Sequence, residues 1–280
     1  MALTSNTFGQ RGPELSRVGL GGEGVLRTFG REVEAEAVIR EALNLGVTYF
    51  DTAAAYAGSQ AYLGRVWSRD PSLRDKIFQA GKSAERTAAA ALKDLDRSLA
   101  ALHTTHLDLW QIHDLRTEDE FRLISGPGGA LEGFLAAQKA GKVRFIGVTG
   151  HHDPVLLARA VREWPVDAVL LPVNPVEACL GGFVDETIQE AREKGLAVIG
   201  MKVLGGGRYL VPDAGLTAGL LVRYALSQPV TQVIVGCRTP AEVGELVRAG
   251  QAPPLTPSEQ SELAGLFRPQ ARKMAFYRGW

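Results

Sequence analysis

Asp51, Tyr56, Lys82 and His113 are the side chains of this sequence whose types together could move a proton. A phenol can give its proton to an oxygen on which negative charge develops, and a neutral imidazole can hold that oxygen by a hydrogen bond. An ammonium beside the phenol favours the phenolate and lowers its pKa from about 10. A carboxylate beside the ammonium keeps it charged and oriented. Taken singly, each residue has a blander explanation: Asp51 a turn or cap residue, Tyr56 a surface aromatic, Lys82 a solvated charge, His113 a structural histidine. Placement argues for the set. Asp51 closes the apolar run VTYFD (47–51), and Tyr56 lies in the loop just after it. Lys82 follows KIFQAG (76–81), and His113 closes LDLWQIH (107–113).

These runs belong to a longer alternation. VGLG (18–21), VRFIGVTG (143–150), DAVLLPV (167–173), LAVIGMKV (196–203) and TQVIVG (231–236) also read as strands. Nearly every run precedes a helical pattern, such as 31–46, where Ala35, Val38, Ile39, Ala42 and Leu43 share a face. Helices are expected at 87–102, 130–142, 154–163, 183–195, 216–227, 240–250 and 257–267. Strands alternating with helices pair in parallel through right-handed crossovers, and about eight such units make a TIM barrel. The fold expected is therefore α/β, a single-domain (β/α)8 TIM barrel over 1–280, with its core at about 15–250 and a helix and tail at 251–280. An open doubly wound sheet would call for G-x-G-x-x-G after the first strand, and VGLGGEGVLRTFG has other spacing. Residues 60–74 resist assignment, and 114–130 reads as a compact loop. In a barrel, the carboxyl ends of the strands form one mouth, where the four residues would meet.

Composition narrows the function classes. Lysine plus arginine number 31, as do aspartate plus glutamate, which gives no electrostatic case for nucleic acid or an anionic membrane. No apolar run approaches the ~20 residues of a membrane helix. The N-terminal MALTSNTFGQRGPELS has no apolar core segment, so no signal peptide is expected. Two cysteines, Cys179 and Cys237, fit a reduced, cytoplasmic protein without a disulfide framework. No metal site is expected. His151–His152 has the look of a metal pair, yet adjacent loop residues rarely share one ion, and His152–Asp153–Pro154 reads more simply as a helix start.

VTYFDTAAAYAGSQAYLGRV resembles the signature of the aldo-keto reductase family, G-x-x-x-F-D-T-A-x-x-Y-G-x-S-E. LDLWQIHDL is similar to that family's D-L-Y-x-I-H segment, and GKVRFIGVTG to its G-K-I-R-x-I-G-V-S. VIVGCRTPAEV resembles its phosphate-site segment. The resemblance implies an oxidoreductase that moves a hydride between a nicotinamide cofactor and a small-molecule carbonyl or alcohol. Asp51, Tyr56, Lys82 and His113 would be its catalytic tetrad, with Tyr56 the general acid. It implies cofactor contacts from Gly22, Asp51, Thr149, Asn174, Met201, Lys202, Leu204, Gly205, Gly236, Cys237, Arg238 and Glu242. Some positions depart from the pattern. Gln60 and Ala57 replace a glutamate and a glycine, Thr149–Gly150 stands for serine-asparagine, and Met201 for an aromatic residue. The glutamine expected near the sixth strand aligns with Leu170 or Pro175, and Asn174 is the nearest amide.

The glycine run after Lys202 would let backbone N–H groups approach a pyrophosphate, with Lys202 and Arg208 adding charge. NADP(H) is the expected cofactor, because Arg238 precedes a helix N-terminus and both favour a phosphate. NAD(H) is the alternative, if Glu242 accepts hydrogen bonds from ribose hydroxyls. Two other functions suit parts of the sequence. A phosphosugar isomerase or lyase would use the phosphate grips but leave Tyr56 and Lys82 idle. A slow or non-catalytic cofactor-sensing barrel would need only the cofactor site.

Overall fold

The computed structural model describes residues 3–279. The sequence-based extent, 1–280, runs past this at Met1, Ala2 and Trp280, which lie outside the described residues. Two short strands, β1 (Ser5–Thr7) and β2 (Glu14–Ser16), pair as an antiparallel hairpin. Phe8, between them, packs on Phe78 and Phe145 with ring centroids 4.8 and 5.2 Å away and closes the barrel from below.

Eight parallel strands form a closed barrel: β3 (Val18–Leu20), β4 (Tyr49–Asp51), β5 (Phe78–Ser83), β6 (Leu107–Ile112), β7 (Val143–Thr149), β8 (Ala168–Pro172), β9 (Ala197–Met201) and β10 (Gln232–Val235). They follow one another in chain order, and β10 closes on β3 with Val233 opposite Val18. The surrounding helices bury the faces their spacing marks; Glu32–Asn44 buries Ala35, Val38, Ile39 and Ala42. This is the single-domain barrel expected.

Strand periodicity positions the site. Tyr49, Phe78, Ala80, Leu109, Leu170 and Ile199 fill the barrel interior. Side chains alternate between faces with a period of two. Asp51 is two residues beyond Tyr49, Lys82 two beyond Ala80, and His113 four beyond Leu109. All three therefore end on the inner face at the carboxyl end. Lys82 lies within β5, which runs to Ser83, rather than after the strand as the sequence reading had it.

The unassigned 60–74 is mostly a helix, Ser59–Arg69, followed by a 3-10 turn, Pro71–Lys76. Its buried Ser59, Tyr62, Leu63, Val66 and Trp67 recur at helical spacing, i, i+3, i+4, i+7 and i+8. The stretch read as a compact loop, 114–130, contains the helix Glu118–Ser125, which buries only Phe121 and Ile124. The helix expected at 183–195 is a π-helical turn, Phe183–Thr187, followed by Ile188–Glu193.

Candidate active site

The tetrad residues meet at the mouth. Lys82 and Asp51, 2% and 1% exposed, form a buried ion pair in which Nζ donates to Oδ2 at 2.5 Å. Nζ donates a second bond to the Thr52 carbonyl at 2.9 Å. Burial pushes the Asp51 carboxyl up and the Lys82 ammonium down, and each partner pulls the other back toward its charged form. The Lys82 ammonium lies 4.9 Å from the centroid of the Tyr56 ring, and the Arg27 guanidinium is at the same distance. His113 meets Tyr56 edge-on, with centroids 5.7 Å apart and planes at 81°.

The electrostatics correct one expectation. Lys82 was to lower the Tyr56 pKa, yet the phenol is held well above its ordinary value, by burial first and by the Asp51 charge next. Lys82 is already paired with that carboxylate and sits over the ring. Tyr56 thus stays protonated, which suits a proton donor. Burial pushes His113 down to about 3, with the Lys82 charge adding to it, so the imidazole is neutral at ordinary pH.

Two clefts flank this cluster. A larger one of about 870 Å³ runs from Gly22, Asp51 and Tyr56, past Leu170 and Met201, to Arg238 and Glu242. A smaller one of about 450 Å³ opens over Tyr56, Lys82, His113 and Thr149. Tyr56, Leu170, Met201 and Lys202 line both. In the larger cleft, backbone forms much of the wall. A Cβ on Gly22 would lie 2.8 Å from the Asp51 carbonyl oxygen and 2.9 Å from Tyr56. Gly205, Gly206 and Gly207 all have positive φ, and a Cβ on Gly207 would meet nothing within 4 Å. A long ligand with an anionic middle fits this wall, with Lys202 and Arg208 beside it.

The sequence-derived cofactor contacts divide. Gly22, Asp51, Met201, Lys202, Leu204, Gly236, Cys237, Arg238 and Glu242 line the larger cleft. Thr149 lines the smaller one, and its Oγ1 accepts from the Asp114 N–H at 2.9 Å, which leaves its own hydroxyl proton free to donate. Gly205 lines neither: the position of a Cβ there is filled by the Tyr209 ring, 2.5 Å away, and Gly206 and Gly207 face the cleft instead. Asn174 also lines neither. Its Oδ1 caps the helix Pro175–Leu180 and its Nδ2 donates to the Lys202 carbonyl and the Tyr277 hydroxyl, so the amide is spent on structure. Leu170 stands in the cleft instead. Cys237 is 1% exposed, and burial raises its thiol to about 12. Glu242 turns back from its helix, where its Oε2 accepts from the Arg238 N–H at 2.6 Å. Sequence reading missed Arg27, Asp114, His151, Glu245 and Phe276, which line the clefts. The HD step after LDLWQI was the only signal for Asp114. Arg27 comes from the 3-10 turn after β3, His151 from the loop after β7, Glu245 from the helix after β10 and Phe276 from the C-terminal tail.

A parallel barrel with a buried Lys–Asp pair, a phenol and a neutral imidazole at its mouth defines a class of oxidoreductase. The sequence profile of the Aldo/keto reductase family matches residues 17–211, and the chain belongs to that family. It is 29% identical over 216 residues to the L-galactose dehydrogenase of Arabidopsis thaliana, covering 71% of this chain and 65% of that protein. It is 26% identical over 220 residues to the 6-dehydroglucose reductase of Novosphingobium aromaticivorans, covering 72% of this chain and 70% of that protein. The holo form of the aldo-keto reductase AKR11C1 from Bacillus halodurans superposes with a TM-score of 0.75 at 19% identity, over 99% of this chain and 98% of that one. No helix among the described residues is long and apolar enough to cross a membrane.

Proposed function

We propose that the chain reduces a carbonyl in an aldehyde, ketone or sugar with NADP(H), or oxidises the corresponding alcohol, with Tyr56 as general acid. The observation that carries this reading is the meeting of Tyr56, His113 and the Lys82–Asp51 pair where the two clefts join. The larger cleft would hold the dinucleotide through Gly206, Gly207, Lys202 and Arg208, and a nicotinamide bound there would supply the hydride. Tyr56 gives its proton to the carbonyl oxygen as negative charge develops there. His113, neutral, donates an N–H to the same oxygen and fixes its direction. Lys82 supplies positive charge beneath the ring, and Asp51 holds it in place. In the oxidative direction, Tyr56 takes the proton back. Thr149, with its hydroxyl proton unspent, is the donor best placed for the carboxamide.

The relatives named for sugar substrates, and a smaller cleft whose lining includes Arg86, Asp114, Arg116 and Glu120, favour a sugar carbonyl. Two free cysteines fit a reducing, cytoplasmic setting. NADP(H) rests on the exposed Arg238 at the start of the helix Pro240–Gln251. NAD(H) is the second reading: Glu242 already occupies an N–H at that helix start, and Glu245 adds a second carboxylate to the wall. A panel of aldehydes, ketones and aldoses, read by NADPH and NADH oxidation, tests the proposal. Turnover that is abolished in Tyr56→Phe supports it. Tight cofactor binding with no turnover on the whole panel would replace it with a sensing role.

A further inference from the structure

Asp114 and His151 form a wall of the smaller cleft that the tetrad does not use. Asp114 directly follows His113 and holds φ +59, a left-handed conformation that costs an L residue about 1 kcal/mol. Its surroundings fix it there. Its N–H donates to Thr149 Oγ1 at 2.9 Å, Arg86 donates to its carbonyl at 2.9 Å, and Arg116 Nε donates to Oδ2 at 2.7 Å. The other carboxylate oxygen, Oδ1, is buried with no hydrogen-bond partner among the described residues, and stands 3.2 Å from His151 Nε2.

His151 is aimed by the C-terminal segment. Its Nδ1 is 3.1 Å from the Tyr277 carbonyl oxygen. A carbonyl only accepts, so Nδ1 carries a proton, and in the neutral ring Nε2 then presents a lone pair. Burial favours that neutral ring, against the pull of Asp114. Tyr277 is held in turn by its hydroxyl, which donates to buried Glu177 at 2.8 Å and accepts from Asn174 at 2.9 Å. Two acceptors, a carboxylate oxygen and an imidazole nitrogen, thus stand side by side over the mouth. Left alone they repel; a hydroxyl beside them gives its one proton to Oδ1 or Nε2, or shares it between the two, and relieves the repulsion. The rest of the cleft's lining is mixed, with apolar surface from Ala55, Ala84, Leu170 and Met201.

We propose that Asp114 and His151 bind a hydroxyl group on the carbon next to the reacting carbonyl, and so select α-hydroxy carbonyl compounds over plain ones. The inference rests on the reductase reading above and adds the determinant of substrate class. Asp114 sits one residue from the carbonyl-orienting His113, so the hydroxyl it reads is close to the reacting carbon. Tyr277 is a positioning residue that acts through His151.

Glyceraldehyde and propionaldehyde share a three-carbon frame and differ in the hydroxyls. The test is the ratio of their kcat/KM values in the parent, Asp114→Gly and His151→Ala. Glycine adopts the φ of position 114 without strain, so the backbone is kept; His151→Ala provides an independent variant should the first unfold. A lost hydrogen bond to a charged group corresponds to a fall in the ratio of about 10-fold or more for Asp114→Gly. A smaller fall in the same direction is expected for His151→Ala. A ratio unchanged in both variants, or equal losses on both aldehydes, overturns the assignment. A parent active on plain carbonyls but not on glyceraldehyde also overturns the assignment, whereas a parent inactive on the whole carbonyl panel with either cofactor overturns the reductase reading itself.

Discussion

At the scale of residues, the buried Lys82–Asp51 pair and the phenol above it make separable predictions. Tyr56→Phe removes the transferable proton and almost no volume, so kcat should fall at least ~10²-fold while cofactor affinity is kept. Parent-like turnover in that variant removes Tyr56 from the role of acid. Lys82→Met leaves the Asp51 charge buried and unpaired, which costs about 3–5 kcal/mol of stability. Adding Asp51→Asn removes the stranded charge, so the double variant should regain much of that stability in urea unfolding while remaining inactive. A double variant no more stable than Lys82→Met would show that the pair is not isolated as the geometry indicates. His113 gives a pH dependence. Its folded pKa is about 3, whereas an unfolded histidine titrates near about 6.5. Between these values the unfolded chain binds a proton that the native one refuses. The histidine's contribution to stability is therefore intact above about pH 6.5 and is lost as pH falls toward the folded pKa. Urea unfolding at about pH 5 and about pH 7.5 should show a steeper loss in the parent than in His113→Gln. Equal slopes would mean that His113 is protonated in the native state.

At the scale of elements, the β3 end and the β10 end carry the most exposed assumptions. Gly22 follows β3, and a Cβ there would press on the Asp51 carbonyl, Ser59 Oγ and the Tyr56 ring, all within 2.9 Å. Gly22→Ala should therefore move Tyr56 and lower kcat by about 10²-fold, the effect of a misplacement near 1 Å, with a small change in melting temperature. Unimpaired turnover would mean that the loop after β4 gives way without disturbing the phenol. Beyond β10, Arg238 and Glu242 oppose each other across one helix N-terminus. Arg238→Ala should shift the NADPH/NADH ratio of kcat/KM toward NADH by about 1.5–3 kcal/mol, the range for a hydrogen bond to a charged group. Glu242→Ala should move it the other way, because an anion leaves the helix start. A ratio insensitive to both would place the adenosine ribose elsewhere.

At the scale of the whole molecule, the chain's last described residues return to the barrel mouth. Arg278 pairs with Glu177, whose side chain is fully buried, and also donates to the Gly181 carbonyl. Phe276 reaches the larger cleft, where the Arg208 guanidinium lies 4.0 Å from its ring centroid. The tail therefore joins the helix after β8, the loop after β9 and the clefts. Arg278→Ala strands the Glu177 carboxylate, and a loss of about 3 kcal/mol or more in urea unfolding is expected. Glu177→Gln added to it should recover part of this. If Arg278→Ala unfolds like the parent, the tail is not anchored by that pair.

Local sequence determined the strands, most helices and the inner-face placement of Asp51, Lys82 and His113, because hydrophobic periodicity is a property of neighbours along the chain. The β-strand period of two aims those residues at the mouth as soon as the barrel is accepted. Two short helices were not read: Ser59–Arg69, whose helical stripe of Tyr62, Leu63, Val66 and Trp67 starts at a polar serine, and Glu118–Ser125, which buries only Phe121 and Ile124. The tertiary structure alone decided what depends on approach between distant segments. It spent Asn174 on a cap and the tail, packed Tyr209 against Gly205, and folded Glu242 back onto Arg238. It also raised the Tyr56 pKa where sequence reasoning lowered it, because burial and the pairing of Lys82 with Asp51 are facts of packing. It brought Tyr277 to His151 and His151 to Asp114. Hydrogen bonds and desolvation depend on separations of a few ångströms in space, and no spacing along the chain encodes these.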